Sequence, residues 1–248
     1  MIQTEAIVLH GFDYRETSRI VRLATRGAGV VSAIARGAKR PKSRFGTGLD
    51  LFTSGVAHLV LHPTRDLHTL SAFDATRARP MLAGTMARFT AAAALGELCL
   101  RFANEDAHGA IHDVLGEALD GIGGAPDAEV PERTVAAAWR LVGELGFSPS
   151  LEECAACRRA LDAAEPVRFG HRAGGALCRP CAALVPGARP LPPEARATLA
   201  AWARGERAAL DDGRTIRAHQ RLLREFVEEH LADGRALRAW AAWERGQP

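Results

Sequence analysis

Short apolar segments separated by turn residues occupy the first 80 positions of the chain. Several of them are rich in β-branched residues, and a short Gly-containing loop joins the second to the third, which predicts a hairpin. The predicted strands are Thr4–His10, Ser18–Thr25, Val30–Ala35, Ser54–His62 and His68–Phe73. Five short strands in succession favour a small barrel, because a closed barrel leaves no sheet edge exposed.

Near Pro80 the hydrophobic spacing changes from that of strands to that of helices. The Ala- and Leu-rich stretch from Met81 to Phe102 is far too long for one strand and predicts a helix. The further predicted helices are Ala107–Leu119, Pro131–Leu145, Pro193–Arg204, Thr215–Leu231 and Leu237–Trp243, with an apolar stripe of Leu222, Leu223, Phe226 and Val227. The expected fold class is α+β, with a barrel domain over residues 1–79 and a mostly α-helical domain over residues 80–248.

Four of the five cysteines form two Cys-x-x-Cys pairs between the predicted helices. Two such pairs at this separation are typical of a four-thiolate zinc site, since each turn aims two sulfurs at one point and Zn²⁺ prefers four tetrahedral ligands. Because four cysteines leave no open coordination position, we expect one structural Zn²⁺ in an insertion spanning about residues 148–185, and not a zinc hydrolase. The expected ligands are Cys154, Cys157, Cys178 and Cys181.

The surroundings of the cysteines support this interpretation. Gly174 and Gly175 suit the tight turn of a zinc knuckle, and the capping-box layout of Ser150–Glu153 predicts a short helical turn at the first pair. A redox role is the alternative, although thioredoxin-like pairs occur in a βαβ context and not as a matched double. Cys99 falls within an apolar helix, where we expect a small buried hydrophobic residue.

A basic segment follows directly after the third predicted strand. The candidate nucleic-acid-binding residues are Arg36, Lys39, Arg40, Lys42 and Arg44, together with Arg19 on the second strand. A loop of this kind can follow a phosphate backbone, and nearby aromatic residues could stack on unpaired bases: Phe12, Tyr14, Phe45 and Phe52. A solvated loop whose charges only aid solubility is the alternative. Arg15 and Arg22 could extend the basic surface, although strand alternation places Arg22 on the face opposite Arg19.

Positive charge is concentrated at the N-terminal end. The chain has 32 basic and 29 acidic residues, whereas residues 1–80 have 12 and 6, as expected for a part that meets a polyanion. The abundance of Arg is not informative by itself, since a GC-rich coding sequence would produce it. No segment resembles a signal peptide or approaches the ~18 apolar residues of a membrane-spanning helix, so we expect a cytoplasmic protein without membrane association.

Catalytic motifs are absent from the sequence. It contains no G-x-x-x-x-G-K-[ST] phosphate loop, no H-E-x-x-H and no G-x-S-x-G, so we expect no enzymatic activity. His108 and His112 lie one helical turn apart near Asp106 and Asp113. Without further ligands these side chains indicate a solvated helix face more than a metal pair.

The order of these motifs resembles the RecO family of bacterial recombination mediator proteins. The matching segments are Arg15–Val21, Gly29–Val31, Gly37–Ser43 and Leu49–Phe52, followed by the four cysteines and the Gly174–Gly175 pair. The N-terminal segments and the zinc spacing are specific in combination, whereas either alone would not be. Beyond about residue 185 only the helical periodicity matches.

The resemblance implies an N-terminal OB-fold, a helical domain and a zinc-binding insertion. RecO-like proteins bind single- and double-stranded DNA and anneal complementary strands without ATP. Together with RecR they help load the RecA recombinase onto DNA coated by single-strand-binding protein, whose acidic C-terminal tail docks on the helical domain. The family's basic OB-fold loop corresponds here to Lys39, Arg40, Lys42 and Arg44. The implied partners are DNA, RecR, that tail and, indirectly, the RecA-coated filament at the nucleoid.

Two other classes of function remain open from the sequence. A zinc-containing RNA-binding or transcription or translation accessory factor would prefer ligands that carry 2′-hydroxyl groups, and it would not anneal strands. A metal-dependent nuclease would need an open metal site or a carboxylate cluster, and no motif predicts either.

Overall fold

Five strands close into a barrel at the N-terminal end of the chain. The structure is a computed structural model that describes residues 1–46, 48–103, 109–208, 210, 212–231 and 236–246. The barrel strands are β1 (Ile2–Tyr14), β2 (Ser18–Thr25), β3 (Gly29–Ala35), β4 (Ser54–Val60) and β5 (Leu67–Arg77). Their order is β1-β2-β3-β5-β4, with β4 returning to β1; β3 and β5 pair in parallel and the other pairs are antiparallel. The barrel is therefore the OB-like one that was expected.

Strand β1 is longer than its sequence pattern predicts. It continues past His10 to Tyr14, because this polar stretch pairs with the first half of β2 after a shift of register between Val8 and His10. The first half of β1, Ile2–Ile7, pairs with β4. One long strand thus contributes to two sides of the barrel.

Alternate strand residues fill the core of the barrel. Val21, Leu23 and Leu59 are fully buried there. Phe45 and Leu49, which follow the basic segment in the chain, belong to the same core and are each 3% exposed. Full burial of such a side chain contributes ~1.5–3 kcal/mol to the stability of the fold. Burial of Phe45 therefore anchors the end of the basic segment in the barrel core.

The described residues then form helices, most of them where the periodicity predicts them. Their bounds are α1 (Met86–Phe102), α2 (Gly109–Gly123), α3 (Val130–Glu144), α4 (Arg179–Leu184), α5 (Pro193–Ala203), α6 (Gly213–His230) and α7 (Arg238–Arg245). The long helix expected from Met81 is divided into a 3₁₀ turn at Pro80–Ala83 and α1. The division occurs because the Thr85 hydroxyl accepts a hydrogen bond from the Arg88 N–H and caps a new helix.

The chain divides into two compact units. The barrel unit comprises Met1–Val130 and Arg238–Pro248, and the cysteine unit comprises Pro131–Leu237. Helix α7 joins the barrel unit because the backbone N–H groups of Arg238 and Trp240 donate to the Glu97 carboxylate of α1, at 2.8 and 3.0 Å. The boundary expected between residues 79 and 80 stays a prediction.

Three short strands form the sheet of the cysteine unit. They are β6 (Val167–Gly170), β7 (Gly175–Leu177) and β8 (Arg189–Leu191), in the order β7-β6-β8. Phe169 of this sheet packs edge-to-face against Phe226 of α6, with 5.9 Å between ring centroids. Phe226 lies on the apolar stripe expected for α6, of which Leu223 and Val227 are also buried.

Arg79 joins the barrel to α2 within the barrel unit. Its side chain is 7% exposed and donates hydrogen bonds of 2.7 Å to the Asp120 carboxylate, the Phe52 carbonyl and the Ser54 hydroxyl. Removing this buried guanidinium leaves the Phe52 carbonyl and the Ser54 hydroxyl without their donor and leaves Asp120 with Arg77 alone, and buried acceptors that lose their donor are costly.

We therefore expect Arg79→Ala to lower the free energy of unfolding of the barrel unit by about 2–4 kcal/mol, measured by urea titration. Arg77→Ala is the matched control, because Arg77 pairs with the same Asp120 at 2.9 Å but is 61% exposed. The control should change stability by less than about 1 kcal/mol. Equal losses in the two variants would contradict the role given to Arg79.

Candidate nucleic-acid interface and thiolate centre

The basic loop, residues 36–44, is a series of turns that leaves its cations in solvent. Successive turns are closed by hydrogen bonds from Arg40 N to Gly37 O and from Ser43 N to Arg40 O, at 3.1 and 2.9 Å. The Lys39 N–H donates to Thr17 O at 3.0 Å and ties the loop to the β1–β2 turn. With Phe45 buried at its end, the loop is held at both sides while its charged side chains are exposed.

All five cations predicted for this loop are exposed: Arg36, Lys39, Arg40, Lys42 and Arg44. The Lys39 ammonium lies 2.7 Å from the Asp13 carboxylate, and the Arg44 guanidinium lies 5.4 Å from the centre of the Phe45 ring. Arg19, on β2, has its Nε 3.9 Å from the same Asp13. The structure thus brings Arg19 and Lys39 together through one carboxylate. The part that the six residues take in nucleic-acid binding stays a prediction.

A groove of about 830 Å³ lies beside the basic loop. The β1–β2 turn, the start of the basic loop and the β4–β5 loop form its walls. Basic side chains line it: Arg15, Arg36, Arg40, His62 and Arg65. In OB-folds the loops between strands 1 and 2 and between strands 4 and 5 flank the oligonucleotide, and this groove lies between those two loops.

Sequence reasoning assigned no role to His62 and did not single out Arg65. The two residues are distant from the basic loop in sequence, and closure of the barrel places them across the groove from it. The OB order of strands could have indicated them, because it brings the β4–β5 loop to the end of the barrel where the β1–β2 turn lies.

Arg15 holds an unusual backbone conformation in the β1–β2 turn. Its φ of 54° is in the left-handed region, which costs an L-residue ~1–2 kcal/mol. Its guanidinium lies 5.3 Å from the centre of the Tyr14 ring. The strained turn thus places a cation and an aromatic ring together at the groove.

Two of the four aromatic residues proposed for base stacking are not available. Phe45 and Phe52 are each 3% exposed, because an apolar side chain in a short loop can reach the core beneath it and is stabilised there. Phe12 is 46% exposed and Tyr14 lines the groove. Arg22 is engaged elsewhere in the barrel unit, since its Nη2 donates to Leu100 O of α1 at 2.8 Å.

The four paired cysteines form one cluster in the cysteine unit. Their sulfurs all lie within 4.8 Å of one another, and the Cys157 and Cys178 sulfurs are 3.9 Å apart. Sulfurs bound tetrahedrally to one zinc ion at ~2.3 Å are about 3.8 Å from each other. The spacing is therefore that of a metal site and is too long for a disulfide bond.

Backbone geometry sets up each half of the cluster. Cys178 precedes the first turn of α4, and Cys181 lies within that helix. The turn expected at the first pair is present, closed by a hydrogen bond of 2.8 Å from the Arg158 N–H to Cys154 O, but the expected capping box is not, because Ser150 forms a β-bridge with Gly175. Any Cβ on Gly175 would lie 2.2 Å from Ser150 O. Only glycine lets the two backbone segments approach in this way.

The electrostatics of the cluster favour a cation among the sulfurs. Burial opposes ionisation of Cys154, but backbone N–H groups, that of Cys178 first among them, outweigh it and lower the pKa of Cys154 to about 6. Hydrogen bonds with the Cys178 and Cys157 sulfurs raise the pKa of Cys181 to about 12. Four thiolates this close repel one another, and a bound divalent cation compensates that repulsion. The cluster fits a structural zinc site.

The other metal candidate is not supported in the part of the chain that the structure describes. His112 Nδ1 lies 3.0 Å from Asp113, whose second carboxylate oxygen is held by Arg26 at 2.6 Å. His108 and Asp106 lie outside the described residues. Within residues 1–46, 48–103, 109–208, 210, 212–231 and 236–246, the four cysteines are the one group with metal-binding spacing.

Cys99 is fully buried in α1, and burial raises its pKa to about 12.

Replacing a cluster cysteine should abolish metal binding. We expect the purified chain to carry one equivalent of zinc and Cys154→Ser or Cys178→Ser to carry far less, with a lower melting temperature, because the metal contributes folding free energy. Metal content measured by mass spectrometry checks this. Cys99→Ala is the matched control and should keep its zinc. A full equivalent in both serine variants would rule out these ligands.

Comparison with known proteins identifies the family of the chain. The family model described as "Recombination protein O N terminal" matches residues 1–79, and "Recombination protein O C terminal" matches residues 83–239. The chain is 34% identical over 250 residues to the DNA repair protein RecO of Anaeromyxobacter dehalogenans, covering 96% of this chain and 94% of that protein.

Two further relatives cover the chain as completely. Identity to the DNA repair protein RecO of Thermobifida fusca is 31% over 248 residues, covering 96% of this chain and 97% of that protein. Identity to the protein of the same name from Rubrobacter xylanophilus is 29% over 252 residues, covering 100% and 99%. No helix among the described residues is long and apolar enough to span a membrane. The chain belongs to the RecO family of DNA repair proteins.

Proposed function

We propose that this chain binds single- and double-stranded DNA and anneals complementary strands without ATP. With RecR, it would help to load RecA onto strands coated by single-strand-binding protein, whose C-terminal tail it would contact. The observation that carries the proposal is the basic groove and basic loop at one end of an OB-like barrel. Membership of the RecO family supports it.

Phosphate binding is the physical basis of the proposed activity. Two complementary strands repel each other through their backbones, and cations that neutralise phosphates reduce this repulsion and release counterions. Arg36, Arg40 and Arg65 line the groove, where a backbone could contact all three. Phosphate contacts carry no base information, so binding of this kind leaves base edges open for pairing.

Annealing needs no nucleophile or general base, so the proposed activity is not enzymatic. The groove is lined by four arginines, one histidine and one tyrosine ring against a single carboxylate, that of Glu16, and the cations and the ring suit phosphate contact and sequence-tolerant stacking. A duplex of the new strands then forms by ordinary base pairing. The zinc ion in this proposal is single and structural: held by Cys154, Cys157, Cys178 and Cys181, it would stabilise the cysteine unit by joining its loops.

Removing charge from the basic loop should weaken DNA binding irrespective of sequence. If wild type neutralises ~4 phosphates of a single strand, its log–log salt slope should be about −3. The variant Lys39→Ala/Arg40→Ala/Lys42→Ala should bind more weakly, with a slope shallower by about 2. Fluorescence anisotropy with labelled oligonucleotides of two unrelated sequences, over a range of salt concentrations, measures both quantities.

The matched control removes three exposed arginines that lie outside the groove and the basic loop: Arg172→Ala/Arg207→Ala/Arg245→Ala. It should keep the wild-type slope. Unchanged affinity in the loop variant would place the DNA surface elsewhere. An RNA oligonucleotide of the same sequence tests the alternative of an RNA-binding accessory factor, which predicts a clear preference for the 2′-hydroxyl-bearing strand.

A further inference from the structure

Asp13 is set apart from the other acidic residues of the barrel by the cations that it contacts. Among the residues that the structure describes, it is the one carboxylate within 4.0 Å of any of the six candidate DNA-binding cations. We propose that Asp13 is an internal competitor of DNA phosphate, which occupies Lys39 and Arg19 and so limits the affinity of the interface. This inference rests on the proposed function and identifies a residue that regulates the same site.

Three parts of the barrel unit position this carboxylate. Asp13 on β1 and Arg19 on β2 are direct cross-strand partners, and the Arg19 Nε lies 3.9 Å from the Asp13 carboxylate. The Lys39 ammonium donates to the other carboxylate oxygen at 2.7 Å. Lys39 is itself held beside the β1–β2 turn by the bond from its backbone N–H to Thr17 O. Strand pairing and loop anchoring therefore fix the ion pair.

The carboxylate is charged and accessible, as a competitor must be. An aspartate carboxyl is ionised near neutral pH, and the hydrogen bond from Lys39 lowers the pKa of Asp13 further. Its side chain is 62% exposed, and ion pairs in such a position are weak because water and salt screen them. A phosphate that approaches the loop can therefore displace Asp13 from Lys39, but it does so against an opposing negative charge.

The other four candidate DNA-binding cations differ from Lys39 and Arg19 in having no carboxylate of the described residues beside them. No carboxylate lies within 4.0 Å of Arg36, Arg40, Lys42 or Arg44 in the described part of the chain. These four can meet phosphates without displacing a carboxylate, whereas Lys39 and Arg19 must exchange Asp13 for a phosphate. The consequence is a DNA interface of restrained affinity.

The variant Asp13→Asn tests the competition directly, because it removes the charge and keeps nearly the same shape. We expect its affinity for a single-stranded oligonucleotide at low salt to rise about three- to fivefold, the size of one exposed ion pair. Asp13→Ser should show the same gain, since the effect lies in the lost charge. Asp50→Asn is the matched control: Asp50 is exposed in the same unit and pairs with none of the six cations.

The gain must also depend on the two cations. In the Arg19→Ala/Lys39→Ala background, Asp13→Asn should leave the affinity nearly unchanged. The double-mutant cycle should therefore show a clear interaction energy between Asp13 and the two cations. The same gain in both backgrounds, or an equal gain for Asp50→Asn, would reduce the effect to net charge and overturn the inference. If wild type binds DNA and Asp13→Asn binds no better, only this inference fails. If wild type binds no DNA, the proposed function fails with it.

Discussion

The pairing of β1 with two neighbours is the constraint on which the rest of the barrel unit depends. Its first half pairs with β4 and its second half with β2, and this double pairing closes the sheet. Closure places the β1–β2 turn, the basic loop and the β4–β5 loop around one groove. The candidate interface is therefore a product of strand register, since no single segment of the chain contains it.

The strands and loops of the cysteine unit are held together in a different way from those of the barrel. Strands β7 and β8 have three residues each, which is the lower end of the usual strand length, so few backbone hydrogen bonds hold this sheet. The thiolate cluster lies at the junction of β7 with α4, and Gly175 lets the first Cys-x-x-Cys segment approach β7 through Ser150. A metal ion at this point would connect loops that are far apart in sequence, as a structural zinc site does.

Much of the fold and of the candidate site follows from local sequence pattern. Strand β2 has the predicted bounds, because it is a short apolar run containing β-branched residues with turn residues on both sides, and the two Cys-x-x-Cys pairs identify the cluster. The pattern failed where tertiary packing decides. Phe45 and Phe52 stand in loops yet lie in the core, β6–β8 are too short to show a period, and Arg65 reaches the groove only through barrel closure.

We propose that the basic loop is the surface with which this RecO-family chain would bring complementary strands together. The most direct measurement is ATP-free annealing of complementary oligonucleotides coated with single-strand-binding protein. Wild type should accelerate annealing, and the variant lacking Lys39, Arg40 and Lys42 should not, although both are folded and contain zinc. No acceleration by folded, zinc-containing wild type would contradict the proposed function, and equal acceleration by the variant would contradict the assignment of the loop.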